Sequence, residues 1–214
     1  MEFIYTPDPV LYPAALSLME ERVAGIKSGE MQECVWSLEH PPLYTAGTSA
    51  KEDGLISARF PVFETGRGGE YTYHGPGQRV AYVMLDLKKY QSEPDIKKYI
   101  WFLEEWIIRT LEQFDIKGER REGRVGIWVV DRDGAEAKIA AIGVRIRHWI
   151  TYHGISINVD PDLSHFSGII PCGIKEFGVT SMAKELGRMI EMAELDQVME
   201  KSWAALFADG SGLS

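Results

Sequence analysis

Hydrophobic positions with a helical spacing occur in three stretches of the chain. The first runs from Pro9 to Ile26, where apolar side chains recur every three or four residues, and Gly29 follows as a terminator. The second begins around Ser92–Asp95, with a proline in its first turn, and continues to Phe114. The third lies between Leu195 and Leu206. The spacing predicts three amphipathic helices, each with one face toward a core.

Shorter apolar runs are typical of strands, because they either alternate with polar residues or form a continuous buried stretch. They are Glu33–Glu39, Val80–Asp86, Val125–Val130, Ala137–Val144 and Ile155–Val159. We expect Asp131–Gly134 to join the third and fourth as a hairpin turn. Since helices and strands mix without a regular β-α-β alternation, the pattern predicts an α+β (mixed α/β) domain, with a mixed sheet flanked by helices. We expect residues 1–208 to form this single domain and residues 209–214 a disordered tail.

Composition excludes several classes of protein. The chain has 214 residues, of which 45% are hydrophobic, so it can bury a core. A net charge of −9 disfavours a nucleic-acid binder. No apolar run approaches the ~20 residues of a membrane span, and the first residues lack a signal-peptide pattern. Two cysteines without disulfide or zinc spacing favour the cytoplasm, and the five histidines show no metal-ligand pattern.

A glycine-rich segment at Gly66–Gln78 is the first candidate for chemistry. Glycines let a ligand approach the backbone closely, but the same residues also suit a tight hairpin between two strands. The segment is not a Walker loop, because no Lys-Ser/Thr pair follows it, and no helical pattern follows to support a dinucleotide site. It contains His74. A second histidine of interest, His153, lies in Thr-Tyr-His-Gly.

Two further residues are candidates for covalent chemistry. Cys172 lies between a proline and a glycine, a setting that can expose a thiol as a nucleophile. A lone cysteine is more often buried and inert, as we expect for Cys34 within a strand. Lys138 is a single charge at the start of an apolar strand. Burial disfavours the charged form of an amine, so Lys138 is a candidate base; the alternative is an exposed lysine at a strand end.

Basic residues cluster at Lys117–Arg124 and at Arg145–His148. On an acidic protein these clusters are either docking patches for an acidic partner or ordinary solvated faces.

Taken together, these segments resemble the lipoyl(octanoyl) transferases. The resemblance is carried by four blocks, found in the family's order: His40–Gly47; Arg67–Gln78; Lys138–Val144 with His153–Asn158; and Phe166–Ile174, followed by Val179–Ser181. One departure is Glu70, where the family usually has glutamine. This residue lies in a substrate-lining stretch, so its effect would be on loop hydrogen bonding rather than on catalysis.

The resemblance implies a fold shared with biotin and lipoate protein ligases, and a catalytic pair that falls on Cys172 and Lys138. It also implies no cofactor and no metal. The substrate-contacting residues that it implies are Arg67, Gly68, Gly69, Glu70, Tyr71, Thr72, Tyr73, His74, Ala141, Ile142, Gly143, Gly154, Ile155 and Ser156.

The activity implied by the resemblance is transfer of an octanoyl group from octanoyl-[acyl carrier protein] to a lysine of a lipoyl domain, through a thioester on Cys172. The expected acceptors are the E2 subunits of 2-oxoacid dehydrogenases and the glycine cleavage H protein. Two alternatives stay open: an ATP-dependent lipoate or biotin ligase, which needs no thiol nucleophile, and a binding module for acyl chains or a carrier protein that catalyses nothing.

Overall fold

A computed structural model describes residues 1–130, 134–170, 177–208 and 213. The helices are α1 (Tyr12–Ser28), α2 (Ile96–Glu112), α3 (Met182–Leu186) and α4 (Met192–Ala208). The strands are β1 (Glu2–Tyr5), β2 (Cys34–Leu38), β3 (Leu43–Ala46), β4 (Val62–Glu64), β5 (Tyr71–His74), β6 (Gln78–Met84), β7 (Glu119–Arg121), β8 (Arg124–Val130), β9 (Glu136–Arg147), β10 (Ile150–Asn158) and β11 (Gly178–Val179).

The main sheet of the described chain runs in the order β1-β2-β6-β10-β9-β8-β7, and β11 pairs with β9. The pairs β1–β2 and β9–β11 are parallel, whereas the other pairs in this sheet are antiparallel. The sheet is therefore mixed and carries helices on both faces, as the α+β prediction requires.

One face of the sheet packs against α2 and α4. The rings of Phe102, Trp106 and Trp203 meet edge to face there, at centroid distances of 4.7 to 4.9 Å. Burial of this apolar face holds the two helices on the sheet. The opposite face is covered by α1, whose buried Ala15, Met19 and Val23 pack against β2, β6 and β10.

The glycine-rich segment is not a hairpin. Its residues Tyr71–His74 form β5, which pairs with β3 in a separate small sheet of the order β4-β3-β5, and its last residue, Gln78, begins β6 of the main sheet. Gly77 lies between the two strands with φ at +82°, where a Cβ would stand 2.3 Å from the carbonyl oxygen of Asp160. A side chain has no room at this crossing between sheets.

The predicted helices and strands are all present, with shifted boundaries. Pro94 lies before α2 rather than in its first turn, because Asp95 is the N-cap and its carboxylate accepts from the N–H of Lys97. β10 begins five residues earlier than predicted, at Ile150. Leu213 of the predicted tail is buried with the α2–α4 core at 2% exposure. The domain boundary at residue 208 stays a prediction.

Candidate active site

A cleft opens on the α1 side of the main sheet, and the paired strands β9, β10 and β6 form its floor. Three residues face one another across the strands in one row, Gly143, Gly154 and Tyr82. The next row contains Ala141, Ser156 and Val80. Residues from β5 and the loop before it form one wall. The cleft is narrow, and the space that its walls enclose measures about 60 Å³.

Most of the substrate-contacting residues predicted from the resemblance line this cleft. They are Arg67, Gly69, Glu70, Tyr71, Thr72, His74, Ala141, Ile142, Gly143, Gly154, Ile155 and Ser156. Gly68 and Tyr73 do not. The N–H of Gly68 is bonded to the carbonyl of Val144, and the Tyr73 ring packs away from the cleft, where its hydroxyl contacts Nδ1 of His165. Contact of the lining residues with substrate stays a prediction.

Lys138 lies in the same cleft and is 5% exposed, so the alternative of an exposed lysine is wrong. Its Nζ donates to the carbonyl oxygen of Val125 at 2.9 Å and lies 4.8 Å from the centroid of the Trp128 ring. A register shift brings it there: Trp128 pairs with Lys138 while its neighbour Ile127 pairs with Ala140. The extra residue in β9 is a bulge, which lets Lys138 share the cleft face with Ala141.

Arg67 holds the wall of the cleft in place. Its guanidinium donates to the carbonyl oxygens of Thr45, Gly68 and Glu70, each at 2.9 Å, and to the Thr45 hydroxyl. Its aliphatic part lies over Gly143, where a Cβ would stand 2.8 Å from its Cδ. The side chain therefore ties the glycine-rich loop to β3 and to the floor.

Three neutral histidines line or adjoin the cleft. Burial lowers the pKa of His74 to about 3 and that of His40 to about 4. Burial also lowers the pKa of His153 to about 3, with a further contribution from the charge of Arg67. Because the imidazoles are neutral near pH 7, each can donate from one nitrogen and accept at the other.

His74 begins a chain of buried hydrogen bonds that ends beside Lys138. Its Nδ1 bonds to Oε1 of Gln78 at 2.6 Å, and Nε2 of Gln78 donates to Oδ1 of Asn158 at 2.9 Å. Asn158 Nδ2 then donates to the carbonyl of Thr180, whose own N–H donates to the carbonyl of Lys138. The chain fixes the backbone of β9 at Lys138 against β6 and β10.

His153 has a backbone conformation that is unusual within a strand. Its φ is +58°, and its ring stacks beside that of the preceding Tyr152 at 5.2 Å. Successive side chains of a regular strand point to opposite faces, so the positive φ turns the imidazole to the cleft side. Its Nε2 lies 3.1 Å from the hydroxyl of Tyr12.

Comparisons with known proteins identify the family. Residues 12–204 match the family model of the lipoyl protein ligase A/B catalytic domain. A curated octanoyltransferase of Paramagnetospirillum magneticum is 59% identical over 208 residues, which is 97% of each chain. The chain belongs to the lipoyl protein ligase A/B catalytic-domain family. The prediction of an acyltransferase of the octanoyltransferase type is confirmed by this similarity.

Solved structures confirm the fold of the family. A chain of the bipartite lipoate protein ligase from Thermoplasma acidophilum is similar with a TM-score of 0.69 at 14% identity, covering 97% of this chain and 84% of that one. A biotin protein ligase variant from Aquifex aeolicus, in complex with biotin, gives 0.52 at 13% identity, covering 98% and 71%. At this identity the likeness concerns the fold alone.

Cys172 lies outside the described residues. Before residues 171–176, the N–H of Ile170 donates to the carbonyl of Gly54. After them, Val179 pairs with Lys138, which lines the cleft. Cys34 is buried in β2 as predicted, and burial raises the pKa of its thiol to about 11.

The sequence analysis did not identify four residues that line the cleft: Tyr12, Thr45, Val80 and Tyr82. Thr45 lies in a block used for the resemblance, yet nothing in its sequence context shows that it would hold Arg67. Tyr12 begins α1, and only the packing of α1 on the sheet brings it to the cleft.

The first basic cluster is paired within the chain. Arg120 bonds to Glu104 and Glu105, while Arg121 and Arg124 share Glu136. These carboxylates neutralise the cluster, so its role as a docking patch loses support. Arg145 and Arg147 are exposed on β9, with Arg145 over the ring of Tyr152.

None of the helices in the described ranges is long and apolar enough to cross a membrane. Those ranges also contain no group of three or more metal-binding side chains. The expectations of no metal and no cofactor stay predictions.

Proposed function

We propose that this chain transfers an octanoyl group from octanoyl-[acyl carrier protein] to a lysine of a lipoyl domain, through a thioester on Cys172. The observation that carries the proposal is the position of Lys138. It is buried in the same cleft that collects the predicted substrate-contacting residues, on a chain that is 59% identical to an octanoyltransferase.

In the first step, the amine of Lys138 accepts the proton of the Cys172 thiol. The thiolate attacks the carbonyl carbon of the donor thioester, a new S–C bond forms, and the S–C bond to the carrier breaks. The carrier leaves as a thiol after it takes the proton back. One thioester replaces another, so no external energy source is needed.

In the second step, the ε-amine of the acceptor lysine attacks the octanoyl-enzyme. Its N–C bond forms, Cys172 leaves as the thiolate, and Lys138 accepts the proton of the amine. The product is an amide, which is more stable than the thioester. The reaction therefore requires neither ATP nor a metal ion.

The cleft suits an apolar acyl chain. Val80 and Ala141 present aliphatic surface, and the paired glycines Gly143 and Gly154 let a chain lie against the backbone. Burial of each methylene contributes about 0.8 kcal/mol, so an eight-carbon chain gains several kcal/mol of binding free energy.

The acceptors we propose are the lipoyl domains of 2-oxoacid dehydrogenase E2 subunits and the glycine cleavage H protein, in the cytoplasm. Support comes from the family and from the similar archaeal structure of a lipoate protein ligase and its E2 lipoyl domain. Both are macromolecular substrates, so their docking surfaces lie outside the acyl cleft.

A transfer assay without ATP tests the proposal against the ligase alternative. The purified chain is incubated with octanoyl-[acyl carrier protein] and a lipoyl domain, and the mass of the lipoyl domain is measured. We expect octanoylation without ATP. Modification only with ATP and free octanoate would instead support a ligase, and no modification under either condition would support a binding module.

A further inference from the structure

Lys138 lies at one end of the cleft and is itself only 5% exposed. Tyr12, Tyr82 and His153 close the other end, with exposures of 3%, 3% and 2%. If the reacting carbonyl lies near Lys138, the acyl chain must point toward these three rings.

Hydrogen bonds fix the orientation of the rings at the closed end. The hydroxyl of Tyr12 lies 3.1 Å from Nε2 of His153, and the hydroxyl of Tyr82 lies 2.7 Å from Nε2 of His40. His40 is fixed in turn by the carbonyl of Val10. Because each ring is held at its polar atom, the wall cannot retract by a simple rotation of one side chain.

The length of the cleft matches an eight-carbon chain. Along β10, Asn158 lies beside Lys138 in one small cavity, and Gly154 lies in the row of Tyr82. Four residues of strand separate them, which is about 13 Å at a rise of about 3.3 Å per residue. An extended octanoyl chain spans about 9 Å for C–C bonds of about 1.5 Å, which leaves room for the reacting groups but little for further carbons.

His153 also has two features that lower the stability of the fold. It holds a positive φ, and within the described part of the chain its buried Nδ1 has no hydrogen-bond partner. Backbone strain and an unsatisfied buried atom at one residue are typical of functional sites. The His153 ring lies at the closed end, where it bonds to the hydroxyl of Tyr12.

We infer that Tyr12 and His153 form the end wall that limits the length of the acyl chain. The inference rests on the proposed function, since it assumes an acyl substrate whose carbonyl lies at Lys138. Tyr12 comes from α1 rather than from the sheet, so the helix that covers the cleft also sets its depth.

Donors of different length test the inference. Octanoyl, decanoyl and dodecanoyl carrier proteins are compared by kcat/KM in the wild type, in Tyr12→Leu and in Tyr12→Phe, with Tyr99→Leu as the control. Tyr99 is an equally buried tyrosine in the core on the opposite face. We expect Tyr12→Leu to raise the dodecanoyl-to-octanoyl ratio about tenfold or more, because each newly buried methylene is worth about fourfold. Tyr99→Leu should keep the wild-type ratio, and Tyr12→Phe should change it less than Tyr12→Leu does, because it keeps the ring and loses only the bond to His153.

A folded Tyr12→Leu variant with the wild-type length profile would overturn the inference. His153→Asn provides a second test if Tyr12→Leu does not fold, since asparagine tolerates a positive φ and its side chain is shorter. Binding of octanoyl- and dodecanoyl-pantetheine, measured by calorimetry, separates this inference from the proposed function. If Tyr12→Leu leaves the ratio of the two binding affinities as in the wild type, the end wall is overturned. If Tyr12→Leu changes that ratio but the chain transfers no octanoyl group, only the proposed mechanism is overturned.

Discussion

The Nζ of Lys138 donates a hydrogen bond to the carbonyl oxygen of Val125, which lies on the neighbouring strand. The contact fixes the amine within the cleft. It depends on the next residue, Gly126, whose φ is +111° and where a Cβ would stand 2.7 Å from the carbonyl oxygen of Ala140 and 3.3 Å from Nζ of Lys138.

We therefore expect Gly126→Ala to lower the rate of transfer. The substitution is strained at this φ, and relief of the contact moves either β8 or the amine. The measurement is kcat with the octanoyl donor, together with a thermal melt. Gly123→Ala is the matched control for strain, because Gly123 also has a positive φ but no atom within 4 Å of an added Cβ. Equal activity of the two variants would contradict the role given to this contact.

Lys138→Arg should lose transfer activity even though it keeps the charge. Arginine stays protonated in proteins and cannot accept a proton from a thiol or an amine. We expect the rate to fall by about 10²–10⁴, the usual contribution of a positioned base. Lys98→Arg on the exposed surface of α2 is the control. Wild-type turnover in Lys138→Arg would show that another group moves the proton.

Gly143→Ala should weaken binding of the donor. An added Cβ would stand 2.8 Å from Cδ of Arg67 and would narrow the floor of the cleft. We expect KM for octanoyl-[acyl carrier protein] to rise. Gly68→Ala serves as the comparison, because its nearest atom would be 3.8 Å away, an ordinary contact, and Gly68 does not line the cleft. The prediction fails if both variants raise KM to the same extent.

The neutral histidines predict how stability depends on pH. The pKa of His40 is lowered to about 4, and those of His74 and His153 to about 3, from an ordinary value of 6.5. As pH falls through 6.5, the unfolded chain binds protons that the folded chain does not. The free energy of unfolding must therefore decrease from pH 6.5 toward pH 4.

Chemical denaturation across this pH range measures the effect, and His153→Asn should flatten its slope. The charge of Arg67 adds to the lowering of the His153 pKa. His153 therefore contributes to the slope although its ring is neutral at pH 7. A slope identical to that of the wild type would mean that His153 does not contribute.

The sequence predicted α1, α2, α4 and the longer strands because their periodicity extends over many residues. It did not predict several short elements, which have five residues or fewer and therefore too few positions to show a period: α3, β1, β3, β4, β7 and β11. The glycine-rich segment looked like a hairpin from its turn residues. Only the pairing of β5 with β3 separates it into two sheets.

The site was predicted less completely, because local irregularities position it. The bulge beside Ala140 carries Lys138 onto the cleft face, and the positive φ of His153 turns its ring there. Neither has a signature in the residue types. Tyr12 reaches the site through helix packing, a long-range contact that one sequence does not show.

The central claim, a thioester on Cys172, is tested most directly by the intact mass of the enzyme. The purified chain is incubated with octanoyl-[acyl carrier protein], without acceptor and without ATP. We predict one octanoyl adduct that hydroxylamine removes and that is absent from Cys172→Ala. An adduct that persists in Cys172→Ala, or rapid transfer to a lipoyl domain by that variant, would contradict the thioester mechanism.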